Sequence, residues 1–421
     1  MSKATEYCNR VFDGTHDSPK PTKSGYKLLT SKNIMNGYLD KTDSYYISEE
    51  DYININKRSK VQKWDVLFSM IGTVGNVCII EDDNIDYAIK NMGVFSCGDE
   101  YKAKWLYFYL QSPYLKKLGE NYLSGAIQKF LPLGWLRELN IPDYDLNKKQ
   151  IVDILWTIDS KLKNNNKINS ELESMAKTLY DYWFLQFEFP NKEGKPYKSS
   201  GGKMVWNEEL KREIPEGWEV LRVKDCIEHI NTGLNPRDNF ILNDGDIKYV
   251  TVKNLTTDGQ LDFSGCDTIS QTTKEMINKR SMVSKGDILF ASIAPLGRCF
   301  MIRETPKDWE INESVFSIRP NKKVSSEYLY KYFISDYFIK KAENSSTGSI
   351  FAGIRISVLE NMDIVVPPSN VIKDFTDKVS SIYDEKYNLS IQNQELSSLR
   401  DFLLPLLMNG QVTFKDKIEK N

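Results

Sequence analysis

The amino-acid sequence predicts an α+β protein made of one globular module used twice, accompanied by a pair of long helices. Three observations predict this class. A heptad seam between Leu146 and Leu179 recurs near the C-terminus, the two halves of the chain match in the same order, and short glycine-punctuated β-rich runs lie inside each match.

The seam lies in LNKKQIVDILWTIDSKLKNNNKINSELESMAKTL. There Ile151, Leu155, Ile158, Leu162, Leu172, Ala176 and Leu179 fall at alternating steps of four and three, the a/d spacing of a coiled coil. Such a stripe requires a partner helix. The remaining seam positions are Asn165 and Asn169, and a buried asparagine in a seam fixes register at a cost in stability. Phe375, Val379, Ile382, Leu389, Leu396 and Leu403 repeat the spacing, and Asn393 falls on Asn169 at a shift of about 224 positions. The same shift superposes Glu171 on Glu395, Leu172 on Leu396 and Leu179 on Leu403. The partner is therefore expected in the same chain. Asp145 and Ser369 occupy matching places before the two helices and read as N-caps. The second helix should end near Asn409-Gly410, with Pro405 predicting a kink or an earlier stop.

At a shift of about 222 positions the rest of the chain also matches itself. Leu29-Thr30-Ser31-Lys32-Asn33-Ile34 answers Val250-Thr251-Val252-Lys253-Asn254-Leu255. Val61-Gln62-Lys63-Trp64-Asp65-Val66-Leu67-Phe68 answers Val283-Ser284-Lys285-Gly286-Asp287-Ile288-Leu289-Phe290, and Gly75 answers Gly297. Val94-Phe95-Ser96, Trp105-Leu106-Tyr107 and Ser124-Gly125-Ala126-Ile127 answer Val315-Phe316-Ser317, Tyr328-Leu329-Tyr330 and Thr347-Gly348-Ser349-Ile350. Within a module, VLFSMIGTVGNVCII and DILFASIAPLGRCFMI read as strands joined by tight turns, whereas WLYFYLQSPYLKKLG and YLYKYFISDYFIKKA read as helical.

The chain has 421 residues, enough for two or three domains, and its 40% apolar, 12% aromatic and 27% charged composition is that of a folded chain. No run approaches a membrane span, MSKATEYCNR lacks the apolar core of a signal peptide, and the six cysteines form no close pair. These features predict a reduced, cytoplasmic protein. A formal charge of −2 offers no overall basic field, so any nucleic-acid binding must use local patches or a basic partner.

Between the halves, FEFPNKEGKPYKSSGGKMVWNEELKREIPEGWEV (187–220) is rich in Pro, Gly, Lys and Ser at first and reads as a linker lying over the surface. Its Lys-Pro-Tyr-Lys-Ser-Ser-Gly-Gly and Ile-Pro-Glu-Gly-Trp, with the duplicated plan and alternating helices, resemble the specificity subunit of type I restriction-modification enzymes over nearly the whole chain. The resemblance implies two target-recognition domains, each reading half of a split DNA sequence, and antiparallel helices that set their separation and dock methyltransferase subunits. The implied organisation is target-recognition domain 1 over 1–144, a central helix over 145–184, and a linker over 185–214. Target-recognition domain 2 would follow over 215–366, then a C-terminal helix over 367–410 and a tail over 411–421. Nothing before Val11 answers Ile214-Pro215-Glu216-Gly217-Trp218, so the first module reads as shortened at its start.

Motifs for catalysis are missing. The only histidines, His16 and His229, have no Cys or His neighbour at metal-ligand spacing, and Phe12-Asp13-Gly14-Thr15-His16-Asp17 lacks an accompanying nucleophile, so His16 reads as a turn or ligand contact. There is no phosphate-binding Gly-rich loop ending in Lys-Ser/Thr. Nor is there the Asn- or Asp-Pro-Pro-aromatic stretch of an amino-methyltransferase, because Val365-Val366-Pro367-Pro368 lacks the polar residue. The chain therefore reads as a non-catalytic reader. A standalone DNA-acting enzyme such as a nuclease, and a coiled-coil scaffold binding only proteins, are the rival readings.

Base reading needs Arg or Lys against guanine and Asn or Gln against adenine, with small hydroxyls and amides on phosphates. Lys32 and Asn33, Lys253 and Asn254, Thr73, Arg298, Gln128, Lys129 and Arg355 stand at or beside the repeated turns and are the candidate DNA-binding residues. S-adenosylmethionine, magnesium and ATP are expected on partner subunits. The partners implied by the resemblance are double-stranded DNA, two methyltransferase subunits and, through them, restriction subunits, with no membrane. A helix of about 34 residues spans roughly 50 Å and so could separate two half-sites by at most about 15 base pairs.

Overall fold

The computed structural model describes residues 1–35, 37–123, 130–145, 148–345 and 353–412. It resolves into two compact units, Met1–Asn165 with Gln392–Asn421, and Asn166–Ile391.

Unit 1 opens with β1 (Ser2–Lys3), α1 (Ala4–Tyr7), β2 (Arg10–Asp13), β3 (Tyr26–Thr30), β4 (Tyr45–Ile47), α2 (Glu49–Ser59), β5 (Asp65–Ser69) and β6 (Val77–Ile79). It continues with β7 (Tyr87–Lys90), β8 (Met92–Ser96), α3 (Glu100–Leu110), α4 (Pro113–Leu123), α5 (Leu133–Arg137), β9 (Asn140–Ile141) and the first half of α6 (Lys149–Tyr180). An antiparallel sheet of order β2-β8-β5-β6 lies beside a sheet of order β4-β3-β7, in which β3 and β7 run parallel. The first sheet is buried on both faces, and its apolar residues alternate between two cores. Val66 and Phe68 join α3 and α6, whereas Leu67 joins Leu29 and Ile89 of the second sheet. Double burial is why Val66-Leu67-Phe68 is continuously apolar and not alternating.

Unit 2 repeats this plan. After a π-helical turn (Asp181–Leu185) come β10 (Met204–Asn207), β11 (Arg212–Pro215), β12 (Glu219–Arg222), β13 (Ile227–Thr232), β14 (Ile247–Val250), β15 (Asp267–Ile269) and α7 (Gln271–Ser281). Then follow β16 (Ile288–Ala291), β17 (Cys299–Met301), β18 (Trp309–Ile311), β19 (Val315–Pro320), α8 (Ser326–Phe333), α9 (Asp336–Ser345), α10 (Ile356–Glu360), β20 (Asp363–Val366) and α11 (Ser369–Met408). The sheets have orders β13-β19-β16-β17 and β15-β14-β18, with β14 and β18 parallel. Strand for strand they match unit 1, so the internal repeat is one of topology. One difference is at the start: β12 pairs four residues with β20 where β1 pairs two with β9.

The aromatic helices α3 and α8 are buried almost all round, and their polar tips explain how. Trp105 Nε1 and Tyr109 Oη donate to the carbonyls of Pro142 and Asn140 at 2.7 and 2.8 Å. At the matching places the hydroxyls of Tyr328 and Tyr332 donate to the carbonyls of Val365 and Asp363. Each large ring thus buries its area with its polar atom satisfied.

Three local expectations need correction. Residues 187–220 do not merely lie over the surface: β10 and β11 form a hairpin, and Phe187, Phe189, Ile214 and Trp218 are buried in the core of unit 2. The Pro-Gly-Lys composition hid four apolar anchors. Ser369 is the first residue of α11 and not its cap, because the carbonyl of Pro368 accepts from Val371 and Ile372. Pro405 does not stop α11, which continues to Met408 before Gly410 turns at φ +69°. A proline near a helix C-terminus removes only one internal bond.

Candidate nucleic-acid interface

In each unit three loops meet at one edge. In unit 1 the segment after β3 is closed by Asn33, which is 1% exposed. Its Oδ1 accepts from the Thr30 amide and hydroxyl at 2.7 and 3.2 Å, and its Nδ2 donates to the carbonyls of Asp40 and Asp43 at 2.9 and 2.8 Å. The β5–β6 turn is tied to this loop by Asn76, whose Nδ2 donates to the Ile34 carbonyl at 2.8 Å. The third strand of chain arrives at Phe130, which bridges Ile71, and Leu131 donates its amide to the Met70 carbonyl at 3.0 Å.

Unit 2 uses the same joints. Asn254, 6% exposed, accepts from the Thr251 amide and hydroxyl at 2.8 and 3.1 Å and donates to the Asp262 carbonyl at 2.8 Å. Arg298 stands where Asn76 stands and reaches the corresponding loop, donating to the Val252 carbonyl at 2.6 Å and to the carbonyls of Pro295 and Ile293 at 3.3 and 3.4 Å. Gly353 bridges Ile293, and the Ile354 amide donates to the Ser292 carbonyl at 2.8 Å. Burial draws the Arg298 guanidinium below its ordinary pKa.

Asn33, Asn254 and Arg298 each brace the edge, and an amide whose two ends hold buried backbone, as in Asn33 and Asn254, cannot turn to a base edge without leaving those groups unpaired. The Thr-x-x-Asn spacing shared by both repeats was the signal for a side-chain-closed turn. The exposed candidates are Lys32, which pairs with Asp43 at 2.8 Å, Thr73 at the tip of the β5–β6 turn, Lys253, and Arg355 at the start of α10. Thr73 belongs to the braced edge of unit 1, and Lys253 and Arg355 flank that of unit 2. Gln128 and Lys129 lie outside the described residues.

His16 sits beside Asn91, whose carbonyl accepts from the hydroxyl of Ser31 in the loop after β3. Its ring nitrogens contact Asp13 Oδ2 at 2.9 Å and Asn91 Oδ1 at 2.8 Å, so both are engaged. The neighbouring cleft of about 820 Å³ mixes charges of both signs, among them Asp17, Asp51 and Arg58. Among the described residues no group of three or more His, Cys, Asp or Glu side chains is placed to hold a metal.

The helix seams are filled by the residues expected there. In unit 1 Ile151, Leu155, Ile158 and Leu162 are buried, Leu396 and Leu403 half-buried, and the Asn165 amide donates to Gln392 Oε1 and Asn393 Oδ1 at 2.7 and 2.9 Å. In unit 2 Phe375, Val379 and Leu389 are buried, with Ile382, Leu172 and Leu179 half-buried. That the N-terminal half of α6 shares a unit with the C-terminal half of α11, and the reverse in unit 2, is the arrangement of an antiparallel pair. The sequence reading passed over four charged seam residues. Asp159 pairs with Arg400 at 3.3 Å and accepts from the Tyr107 hydroxyl at 2.5 Å, and Glu173 lies between Lys331 and Lys386. Burial pushes Glu173 up, but the two ammonium groups outweigh it and hold the carboxyl below its usual range. Lys386 and Arg400 occupy heptad positions of the second helix, where a cation in an apolar stripe was the available signal.

A family model described as the type I restriction modification DNA specificity domain matches residues 16–174 and again 215–395. The chain belongs to this family. It is a specificity subunit of a type I restriction-modification system, and has no catalysis of its own. The type I restriction enzyme MjaIX specificity subunit of Methanocaldococcus jannaschii is 25% identical over 321 residues, covering 76% of this chain and 71% of that one. The HindI specificity subunit of Haemophilus influenzae is 23% identical over 411 residues, covering 84% and 88%. The crystal structure of a type I restriction-modification S subunit from M. genitalium shares the fold, with a TM-score of 0.55 at 16% identity over 99% of this chain and 96% of that one. Each matched segment takes in most of one copy of the sheet and loop plan together with part of a long helix.

Proposed function

We propose that the two modules, within 1–144 and 215–366, are target-recognition domains that each read one half of a bipartite DNA target. The helices over 145–184 and 367–410 would set the spacing and dock methyltransferase subunits. The observation that carries this reading is the braced three-loop edge, present in both units with corresponding joints and partly different exposed residues. Lys32 and Lys253 stand at matching places, whereas one edge presents Thr73 where the other has Pro295, and the other presents Arg355 where the first has Pro132. An identical frame with different tips is what two different half-sites require.

For docking, Ile168, Met175 and Tyr182 leave apolar surface exposed at heptad spacing, and Leu399, the match of Met175 at the repeat shift, is exposed beside Phe402. An exposed apolar patch on each long helix, sharing the Met175 and Leu399 position, suits two copies of one partner. In this reading S-adenosylmethionine, magnesium and ATP are held by the methyltransferase and restriction subunits, and the complex works in the cytoplasm. The test is to map adenine methylation across the genome of the source cell with and without the gene. A gapped two-part motif should lose its methyl groups on deletion, and exchanging residues 215–366 for those of a relative should change one half of the motif and leave the other. Unchanged methylation together with failure to co-purify with a methyltransferase subunit would sink the proposal.

A further inference from the structure

The buried charges of the helix seams are divided unequally between the two repeats, and the division is complementary. In unit 1, Asp159 of α6, 4% exposed, pairs with Arg400 from the C-terminal half of α11. In unit 2, Glu173 from the C-terminal half of α6 pairs with Lys331 of α8 and Lys386 of α11, which are 2% and 8% exposed. Both acids therefore lie on the first repeat of the chain and all three bases on the second.

No pair is reproduced at the matching place in the other unit. Along the long helices, at a shift of about 224 positions, Asp159 answers Tyr383, Leu162 answers Lys386, Glu173 answers Ser397 and Ala176 answers Arg400. In the aromatic helices Phe108 answers Lys331. Where unit 1 has Tyr107, Asp159 and Arg400, unit 2 has Tyr330, Tyr383 and Ala176, all buried and none charged.

This division decides which helix pairings are tolerable. If the first repeat of one molecule took the first repeat of another as partner, Asp159 would meet Ala176, and Glu173 would meet Phe108 and Leu162. If two second repeats paired, Arg400 would meet Tyr330 and Tyr383, and Lys331 and Lys386 would meet Ser397. Arg400 would keep only the exposed Asp401 of its own helix, at 3.0 Å, and the other four buried charges would lose the counter-charge they have now; an unpaired buried charge is far more costly than a paired one. The apolar seam alone does not discriminate, because both helices carry the same heptad pattern. We infer that these five residues form a charge code: the acidic first repeat accepts a basic second repeat as its helix partner, and like repeats of two molecules are excluded from pairing.

The test uses the full chain with a protease site placed in the exposed turn Lys192–Lys195, so that cutting leaves both repeats present without covalent connection. The cut protein is unfolded in urea, refolded, and its pairs are weighed by native mass spectrometry. Wild type should return only first-with-second pairs. Asp159→Asn with Glu173→Gln neutralises the first repeat, and first-with-first pairs should then rise at least about tenfold. Like pairs in statistical proportion from wild type, or none from the neutral variant, would overturn the code. Should the neutral variant not refold, Asp159→Arg with Arg400→Asp keeps the pair with its signs exchanged. Refolded in a mixture with wild type, its repeats should recombine with their own parents in preference, and random recombination would overturn the code equally.

Discussion

Asn254 shows how much a single side chain can hold at the recognition edge. Its three bonds close the loop from Thr251 to Asp262, and Asn254→Ala strands buried backbone groups. We expect a loss of about 2–3 kcal/mol in urea unfolding, together with weaker DNA binding at one half-site and an unchanged sequence preference. A change of preference would return Asn254 to the set of base readers. Glu310 is a second informative residue. It is 2% exposed on β18, its Oε2 has no partner among the described residues, and burial pushes its carboxyl up to about 7. The corresponding place in unit 1 is Ala88. Because the folded pKa lies above the unfolded one, this group's contribution is fully present below about pH 4.5 and is lost as pH rises through about 7. Glu310→Gln should therefore match wild type near pH 5 and be more stable by about 2 kcal/mol at pH 8, as read from urea midpoints at the two pH values.

At the scale of the element, the two seam asparagines of α6 separate. The Asn165 amide bonds to Gln392 and Asn393, whereas neither amide atom of buried Asn169 has a partner among the described residues. Asn169→Leu should stabilise the protein by about 1–2 kcal/mol, since it removes an unsatisfied amide and adds apolar area. Asn165→Leu should destabilise it. Thermal unfolding of the two variants side by side checks the difference, and a destabilised Asn169→Leu would show that its amide is satisfied after all. Both asparagines satisfy the same heptad rule, so their spacing alone could not distinguish them.

For the whole molecule, net charge sets the expectation. At −2 the chain has no long-range field to draw in DNA, so non-specific binding by the chain alone should be no tighter than about 10⁻⁶ M and should weaken steeply with salt. Adding a methyltransferase subunit should tighten binding and restrict it to the bipartite site. Gel-shift titrations over a salt series with and without the partner test this, and tight sequence-specific binding by the isolated chain would contradict it.

Periodicity and self-similarity are properties of the sequence, and they determined most of the architecture. Heptads placed both long helices, matching at about 222 positions revealed the duplicated module, and the absent motifs pointed away from catalysis. The fate of each polar side chain was decided only by the tertiary structure. Asn33 and Arg298 look like base readers in a sequence because both are hydrogen-bonding residues near turns. They became braces because folding brought the carbonyls of Asp40, Asp43 and Val252 within reach of their amide and guanidinium donors. The anchors of residues 187–220 were hidden for a related reason, since a few apolar residues in a polar stretch show no period until a core receives them. The division of acids and bases across the seams was also invisible along the chain. Asp159 and Arg400 are 241 positions apart and Glu173 and Lys331 are 158 apart, and only packing makes them neighbours.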